Sequence, residues 1–444
     1  MDERHAPYAE MNLPRYTSYP TAPHFSPDVG AETHGAWLAD LAGSGAPLSV
    51  YLHIPFCKEI CWYCGCNTKA ARRREPVADY VDVLREEIAL VSGMTGKGGV
   101  RRIHWGGGTP NILSEADLDA VMSSLRDRFD LTAVSEHAIE IDPRTLTQAH
   151  VNAFARAGVT RASLGVQDFN AHVQAAIGRI QPAETVARAV TMLRDAGVTG
   201  ISFDLMYGLP SQSVDDARRS ARMALALGPD RLSVFGYAHV PWFKSRQRLI
   251  DADTLPDIRM RGAQAAAVTE TILEAGYMEI GLDHYARPDD LLARAARDGG
   301  LHRNFQGYVD DDCATLIGLG ASAISNFPQG YAQNSPDVGQ WSRAVRAGVL
   351  PTARGYALTP DDRIRKGIIE RILCDFEVDL APLGGNAAFP EAVARLAQPA
   401  RDGLVTLQGD RLSIPQDARR LARVVASAFD SHHQASPARH SRAV

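Results

Sequence analysis

The 444-residue chain has no basic excess: 47 lysines and arginines against 52 aspartates and glutamates leave a formal charge of −5 at pH 7. Phosphate backbones are gripped by a basic field, so this balance argues against a nucleic-acid partner and points to small molecules or proteins. No run approaches the roughly 18 apolar residues that span a bilayer, and the opening stretch MDERHAPYAEMNLPRYTSYP lacks the apolar core of a signal peptide. A cytoplasmic enzyme with no membrane partner is expected. No Gly-Lys-Ser/Thr follows the glycine run at 106–108, which excludes a P-loop. No Ser/His/Asp or His/Glu catalytic constellation is evident. At 45% hydrophobic and 22% charged residues, the composition excludes disorder and collagen-like repetition. Cysteine is scarce as well, with six residues, four of which (Cys57, Cys61, Cys64, Cys66) fall within ten positions, while Cys313 and Cys374 stand alone.

Between residues 49 and 238 short apolar runs alternate with amphipathic stretches. The strand candidates are 49–54, 102–105, 138–141, 161–166, 201–206 and 231–237, rich in Val, Ile, Leu and Phe as strands buried on both faces are. Between them, Val77, Val81, Leu84, Ile88 and Val91 recur at helical spacing. Ser114 with Asp117 and Ser213 with Asp216 read as capping boxes, Pro182 suits a first helical turn, and Gly158 and Gly197 suit helix ends. Strand and helix in unbroken series give a parallel sheet, either an open doubly wound one or a barrel. A six-unit partial barrel is preferred, because the unusual residues gather at strand C-terminal ends, where barrel enzymes place their sites. The α/β architecture expected is therefore a partial (βα)6 barrel with an N-terminal arm and a C-terminal mostly helical domain. The boundaries are 1–46 for the arm, 47–345 for the barrel and its extension, 346–430 for the helical domain, and 431–444 for a disordered tail. Residues 256–276 read as a helix, 301–325 show no clear period, and 404–414 read as a hairpin about Gly409-Asp410. A helix-plus-hairpin unit resembles a winged helix; without a basic excess a lid or packing role fits better.

The cysteine group requires its own chemistry. Reducing compartments disfavour a disulfide framework. A structural zinc site takes four ligands, usually as two separated pairs, and no second pair exists here. Soft thiolates clustered on one loop suit an iron–sulfur cluster better. Three ligands would leave one iron of a four-iron cluster open, whereas ligation by Cys66 would close it and leave an electron carrier; Cys57, Cys61 and Cys64 already supply three corners.

Cys-x3-Cys-x2-Cys after the first strand of such a barrel resembles the signature of radical S-adenosylmethionine (SAM) enzymes. Further stretches narrow the resemblance to the oxygen-independent coproporphyrinogen III oxidase (dehydrogenase) family of haem biosynthesis: YLHIPFC at 51–57, CGCN at 64–67, HWGGGTP at 104–110, EIDPR at 140–144, GVQDF at 165–169, DLMYGLP at 204–210 and HRNFQGY at 302–308. The likeness runs from Pro14 to about Asp430 and includes the arm PRYTSYPT at 14–21, which shorter relatives lack.

The resemblance implies that Cys57, Cys61 and Cys64 hold a [4Fe-4S] cluster, with SAM chelating the open iron and yielding a 5′-deoxyadenosyl radical on reduction. It also implies two SAM molecules, with Tyr51, Tyr63, Gly107, Gly108, Thr109, Glu140, Gln167, Arg179, Asp204, Ala238 and Ile324 as SAM-binding positions. Tyr63 stands where relatives often carry Phe. The implied substrate is coproporphyrinogen III, two of whose propionates become vinyl groups. A low-potential electron donor, an unidentified electron acceptor and a monomeric state complete the expectation. No catalytic side chain is assigned, although Cys66 is a candidate. Arg15, Arg287 and Arg303 are candidate propionate contacts, and His53 is expected to be a satisfied core histidine. The rivals are a haem-binding chaperone of the same superfamily, a radical SAM methyltransferase acting on a tetrapyrrole, and an electron-transfer protein with a closed cluster.

Overall fold

In β1 (Leu48–Ile54) six of seven residues are buried, polar Ser49 and His53 included, as a strand covered on both faces requires. The computed structural model describes residues 3–433. All six expected strands are present: β1, β2 (Val100–Gly107), β3 (Glu136–Ile141), β4 (Arg161–Gln167), β5 (Gly200–Tyr207) and β6 (Arg231–Gly236), parallel and paired in chain order. Six more strands extend the sheet: β7 (Met278–Ile280), β8 (His284–Ala286), β9 (Thr315–Leu319), β10 (Ile324–Phe327), β11 (Gly330–Asn334) and β12 (Thr352–Ala357). The order is β12-β11-β10-β9-β1-β2-β3-β4-β5-β6-β8-β7. β9 pairs parallel with β1, and β8 pairs antiparallel with β6. The edges of the six-strand core are thus covered rather than joined, and the barrel is partial.

The intervening helices lay their apolar stripes into one continuous core. In α1 (Glu75–Thr95) the predicted stripe Val77, Val81, Leu84, Ile88 and Val91 is buried throughout. Both predicted capping boxes are formed, at α2 (Glu115–Arg128) and α5 (Val214–Ala226). Gly158 ends α3 (Gln148–Ala157) in the left-handed conformation that a side chain would resist. Pro182 stands one position earlier than expected, as the extended N-cap of α4 (Ala183–Asp195). The helix read over 256–276 is α6 (Ile258–Glu274).

Three expectations need correction. Residues 301–325, which lack a period, contain the hairpin His302–Asn304/Gly307–Val309, all of β9 and the start of β10. β9 is buried on both faces and short, so periodicity could not mark it. β12 lies beyond the boundary drawn at 346, yet pairs with β11 in the main sheet. The tail drawn from 431 begins with placed residues: Ser431 bonds the Tyr19 hydroxyl and His432 Nε2 lies 2.7 Å from Asp362 Oδ1. The rest of that tail, 434–444, lies outside the described residues.

The C-terminal unit combines α7 (Pro360–Cys374), α8 (Pro390–Arg401) and α9 (Ala422–Ala428) with the predicted hairpin. Thr406–Gln408 pairs with Arg411–Ser413, which also takes Glu377–Asp379 as a third strand. The N-terminal arm is woven into this unit. Tyr16 and Tyr19 join its core, and Leu13 packs with Leu404, Leu421 and Val424. A fully buried leucine contributes about 2 kcal/mol of transfer free energy, so these contacts fix the arm's path. Among the described residues no helix is long and apolar enough to cross a membrane.

Candidate active site

The cysteine loop leaves β1 and is closed at its base by a short parallel pair, Phe56–Cys57 with Lys69–Ala70. Cys57 and Cys61 are buried, Cys64 is half-buried and Cys66 is exposed. Each of the three predicted ligands has a polar escort. Thr68 Oγ1 and Thr109 Oγ1 each lie 3.3 Å from the Cys57 sulfur; burial pushes that thiol up, and the hydroxyls oppose the shift. Arg179 Nη1 donates to the Cys61 sulfur at 3.3 Å and Arg144 Nη2 at 3.6 Å. Cys64 is pushed down to about 6 chiefly by a hydrogen bond from Cys66, with Lys244 and Arg179 adding positive charge against the burial cost. Soft sulfur donors on one loop, escorted by hydroxyl and cationic donors, are the kind of set an iron–sulfur cluster takes.

The glycine run sits against this loop. Gly107 has φ 110°, and a Cβ there would lie 2.6 Å from the His53 ring. A Cβ on Gly108 would lie 2.5 Å from Thr68 Oγ1. Only glycine lets the end of β2 approach so closely. Gly107 N donates to Glu140 Oε2 at 3.2 Å, Gly108 N to the Ile54 carbonyl and Thr109 N to the Phe56 carbonyl, both at 2.8 Å. His53 is buried as expected, between the Tyr51 hydroxyl at 3.0 Å and the Asn67 carbonyl at 3.2 Å, and burial lowers its pKa.

Most of the predicted SAM positions converge on this end of the sheet. Tyr51 stacks on His104, ring centroids 5.8 Å apart, and His104 Nε2 lies 3.3 Å from Glu140 Oε1. Asp204 is pushed up to about 7 by burial and by the neighbouring Glu140, opposed by bonds from Ser233 and Ser163. Gln167 holds φ 68°, a conformation a non-glycine residue keeps only when its surroundings impose it. Arg179 is not a surface charge: it is buried, with Nη2 donating to the Gly165 carbonyl at 2.6 Å and to Asp142 Oδ1 at 3.3 Å, while its buried Nε has no hydrogen-bond partner. The carbonyls of Tyr63 and Ala238 are tied together by Gln247 Nε2 at 2.9 and 3.1 Å. Ile324 opens β10, where its carbonyl would lie 2.6 Å from a Cβ on Gly318. Within the quoted EIDPR stretch, Arg144 bonds the Cys61 sulfur and Asp142 holds both Arg144 and Arg179, roles that sequence reading did not assign.

A cavity of about 480 Å³ opens beyond Ala238 at the C-terminal ends of β5 and β6. Among the described residues five arginines line it, Arg15 from the arm, Arg261 from α6, Arg303 from the hairpin, and Arg420 and Arg423 from the last helical segment, with Asp283 the one carboxylate. Arg303 is half-buried, stacks on Tyr308 at 4.4 Å, and keeps a buried Nη1 without a hydrogen-bond partner. Two of the three arginines proposed from sequence are here. Arg287 is not: β8 runs antiparallel to β6, so its end returns to the start of β6, where Arg287 N bonds the Asp230 carbonyl and its side chain pairs with Asp289. Arg261, Arg420 and Arg423 carried no sequence signal, since only the fold brings α6 and the chain end together.

Comparison with known proteins agrees with this geometry. Residues 51–224 match the family model of the Radical SAM superfamily. The partial barrel with its cysteine loop is therefore that of a radical SAM enzyme. An oxygen-independent coproporphyrinogen III oxidase from Bradyrhizobium diazoefficiens is 51% identical over 443 residues, covering 98% of each chain. The enzyme of that name from Escherichia coli is 38% identical over 94% of this chain and 93% of its own. A solved structure of coproporphyrinogen III oxidase from Escherichia coli, described as a radical SAM enzyme, superposes with a TM-score of 0.90 at 37% identity, covering 94% of this chain and 98% of that one. The chain belongs to the oxygen-independent coproporphyrinogen III oxidases.

Proposed function

We propose that the chain performs the oxidative decarboxylation of two propionates of coproporphyrinogen III to vinyl groups, yielding protoporphyrinogen IX. The observation that carries this reading is the junction of two features at Ala238: a three-cysteine loop with cationic escorts, and a cavity lined by five arginines. Cys57, Cys61 and Cys64 would hold the [4Fe-4S] cluster. When bound, the cluster and SAM supply the radical that removes a hydrogen from a propionate β-carbon, and loss of an electron and of carbon dioxide leaves the vinyl group.

The protein's own part is positioning and exclusion of water. Gly107, Gly108, Glu140 and Asp204 present backbone and carboxylate groups suited to the amino, ribose and adenine ends of SAM, and Tyr51 supplies an aromatic wall. Tyr63, Thr109, Gln167, Arg179, Ala238 and Ile324 complete positions for two SAM molecules, a number that suits two decarboxylations. Arginines from the arm, α6, the hairpin and the chain end meet propionates as charge-assisted pairs. No general base is needed for the bond-breaking step. A low-potential electron donor, a separate electron acceptor, a monomeric state and a cytoplasmic location belong to the same proposal.

The test is anaerobic reconstitution of the cluster followed by SAM, a reductant and coproporphyrinogen III. Vinyl products and carbon dioxide, detected by mass spectrometry, support the reading. SAM cleavage without substrate turnover counts against it, and haem binding with neither would favour a chaperone.

A further inference from the structure

Among its described residues, the arginine-lined cavity contains one of the wrong sign for a polyanion. Asp283 lines it together with Arg15 and Arg303, while its carbonyl takes Val234 N at 2.7 Å and its Oδ1 takes His284 Nδ1 at 2.7 Å. His284 is itself locked by edge-on contacts with Phe235 and Tyr308, at centroid distances of 5.8 and 5.2 Å. The carboxylate is therefore held in one place. Burial works against its charge, yet His284 and the two arginines bring it down to about 2, so it is an anion at working pH. A fixed anion repels every propionate that enters, and simple neutralisation of surplus arginine charge would work against the very ligand those arginines serve.

The cost makes sense if the ligand also brings donors. A reduced tetrapyrrole carries four pyrrole N–H groups at its centre and its carboxylates on the rim, and its saturated bridges let the rings tilt their N–H groups to one side. We propose that Asp283 is the acceptor for the pyrrole N–H groups of the substrate, centring the macrocycle while the surrounding arginines take propionates. This assignment rests on the tetrapyrrole reading above and adds to it a reason for preferring the reduced ring system. An oxidised porphyrin replaces two of the N–H donors with imine acceptors, and a zinc porphyrin has none.

The experiment compares ligands with the same four propionates, so arginine contributions cancel. Anaerobic equilibrium dialysis of reconstituted holoenzyme, without SAM, measures dissociation constants for coproporphyrinogen III, coproporphyrin III and zinc coproporphyrin III. In the unaltered protein the porphyrinogen should bind at least about tenfold tighter than the zinc porphyrin, the worth of one charge-assisted hydrogen bond. Asp283→Asn should bring that ratio close to one. A ratio unchanged in folded Asp283→Asn, or a parallel loss for all three ligands, would overturn the assignment and leave Asp283 a structural residue. Should Asp283→Asn fail to fold, Asp283→Glu gives the same reading, because the added methylene displaces the acceptor: the ratio is expected to fall, and an unchanged ratio again overturns it. Failure of the unaltered protein to bind any of the three would instead sink the tetrapyrrole reading.

Discussion

One guanidinium joins a buried cysteine to a buried carboxylate: Arg179 Nη1 lies 3.3 Å from the Cys61 sulfur, and its Nη2 lies 3.3 Å from Asp142 Oδ1. Arg144 closes on the same carboxylate at 2.6 Å and on the same sulfur at 3.6 Å. Two cations therefore share one sulfur and one acid, which fixes the orientation of the cysteine loop. Arg179→Ala should lower iron bound per chain after reconstitution and destabilise the protein by about 3 kcal/mol, the low end for removing one partner of a buried pair, since Arg144 remains. Arg179→Lys should recover less than half of either loss, because an ammonium cannot bridge both partners. Iron analysis and thermal unfolding of the variants check both effects.

Cys66 stands outside that arrangement. It is exposed and donates to Cys64, which lowers the Cys64 pKa. Cys66→Ser should keep its iron and sulfide content after reconstitution, while Cys57→Ser, Cys61→Ser and Cys64→Ser each lose most of theirs. An iron loss in Cys66→Ser equal to the other three would mean a closed four-cysteine cluster.

The parts legible in the sequence are those with a local cause. Capping boxes at Ser114 and Ser213, the stripe from Val77 to Val91 and the six parallel strands follow from spacing alone, and the chemistry of the cysteine loop follows from side-chain type. What stayed hidden depends on distant pairing. β9 lies in an aperiodic stretch and is specified by its parallel pairing with β1. The cavity arginines come from residues 15, 261, 303, 420 and 423, and no window of sequence contains two of the elements that carry them except the last pair. Arg287 was misplaced for the same reason, because the direction of β8 cannot be read from three residues.

Glu87 on α1 is a buried acid with a purely structural position. It accepts from Gly320 N at 2.7 Å, Trp341 Nε1 at 3.1 Å and Asn334 Nδ2 at 2.6 Å, tying α1 to the turn after β9 and to β11. Burial outweighs these donors and raises its pKa to about 7 from 4.5. A raised folded-state pKa means that the folded form holds the proton more tightly than the unfolded chain. This contribution to stability, on the order of 3 kcal/mol, is complete below the unfolded value and fades as pH rises through 7. Asp204 behaves in the same direction. Thermal unfolding at pH 5.5 and 8.5 should show a smaller pH difference in Glu87→Gln than in the unaltered protein, with Asp204 common to both.

The two arginines Arg303 and Arg287 separate a substrate role from a surface one. Arg303 is held by the Tyr308 face and by the Arg15 carbonyl at 3.1 Å, and it keeps a buried Nη1 in need of an acceptor. Arg287 is half-exposed and already paired with Asp289 at the opposite end of β6. A hydrogen bond to a charged partner contributes about 1.5–3 kcal/mol. Arg303→Ala should therefore raise the KM for coproporphyrinogen III by about ten- to a hundredfold. The same change in SAM affinity is not expected, because Arg303 lies on the cavity side of Ala238. Arg287→Ala should leave the substrate KM within twofold of the unaltered enzyme. Initial-rate kinetics under anaerobic conditions check the pair together: equal effects in both variants would mean that the cavity is not where the propionates bind.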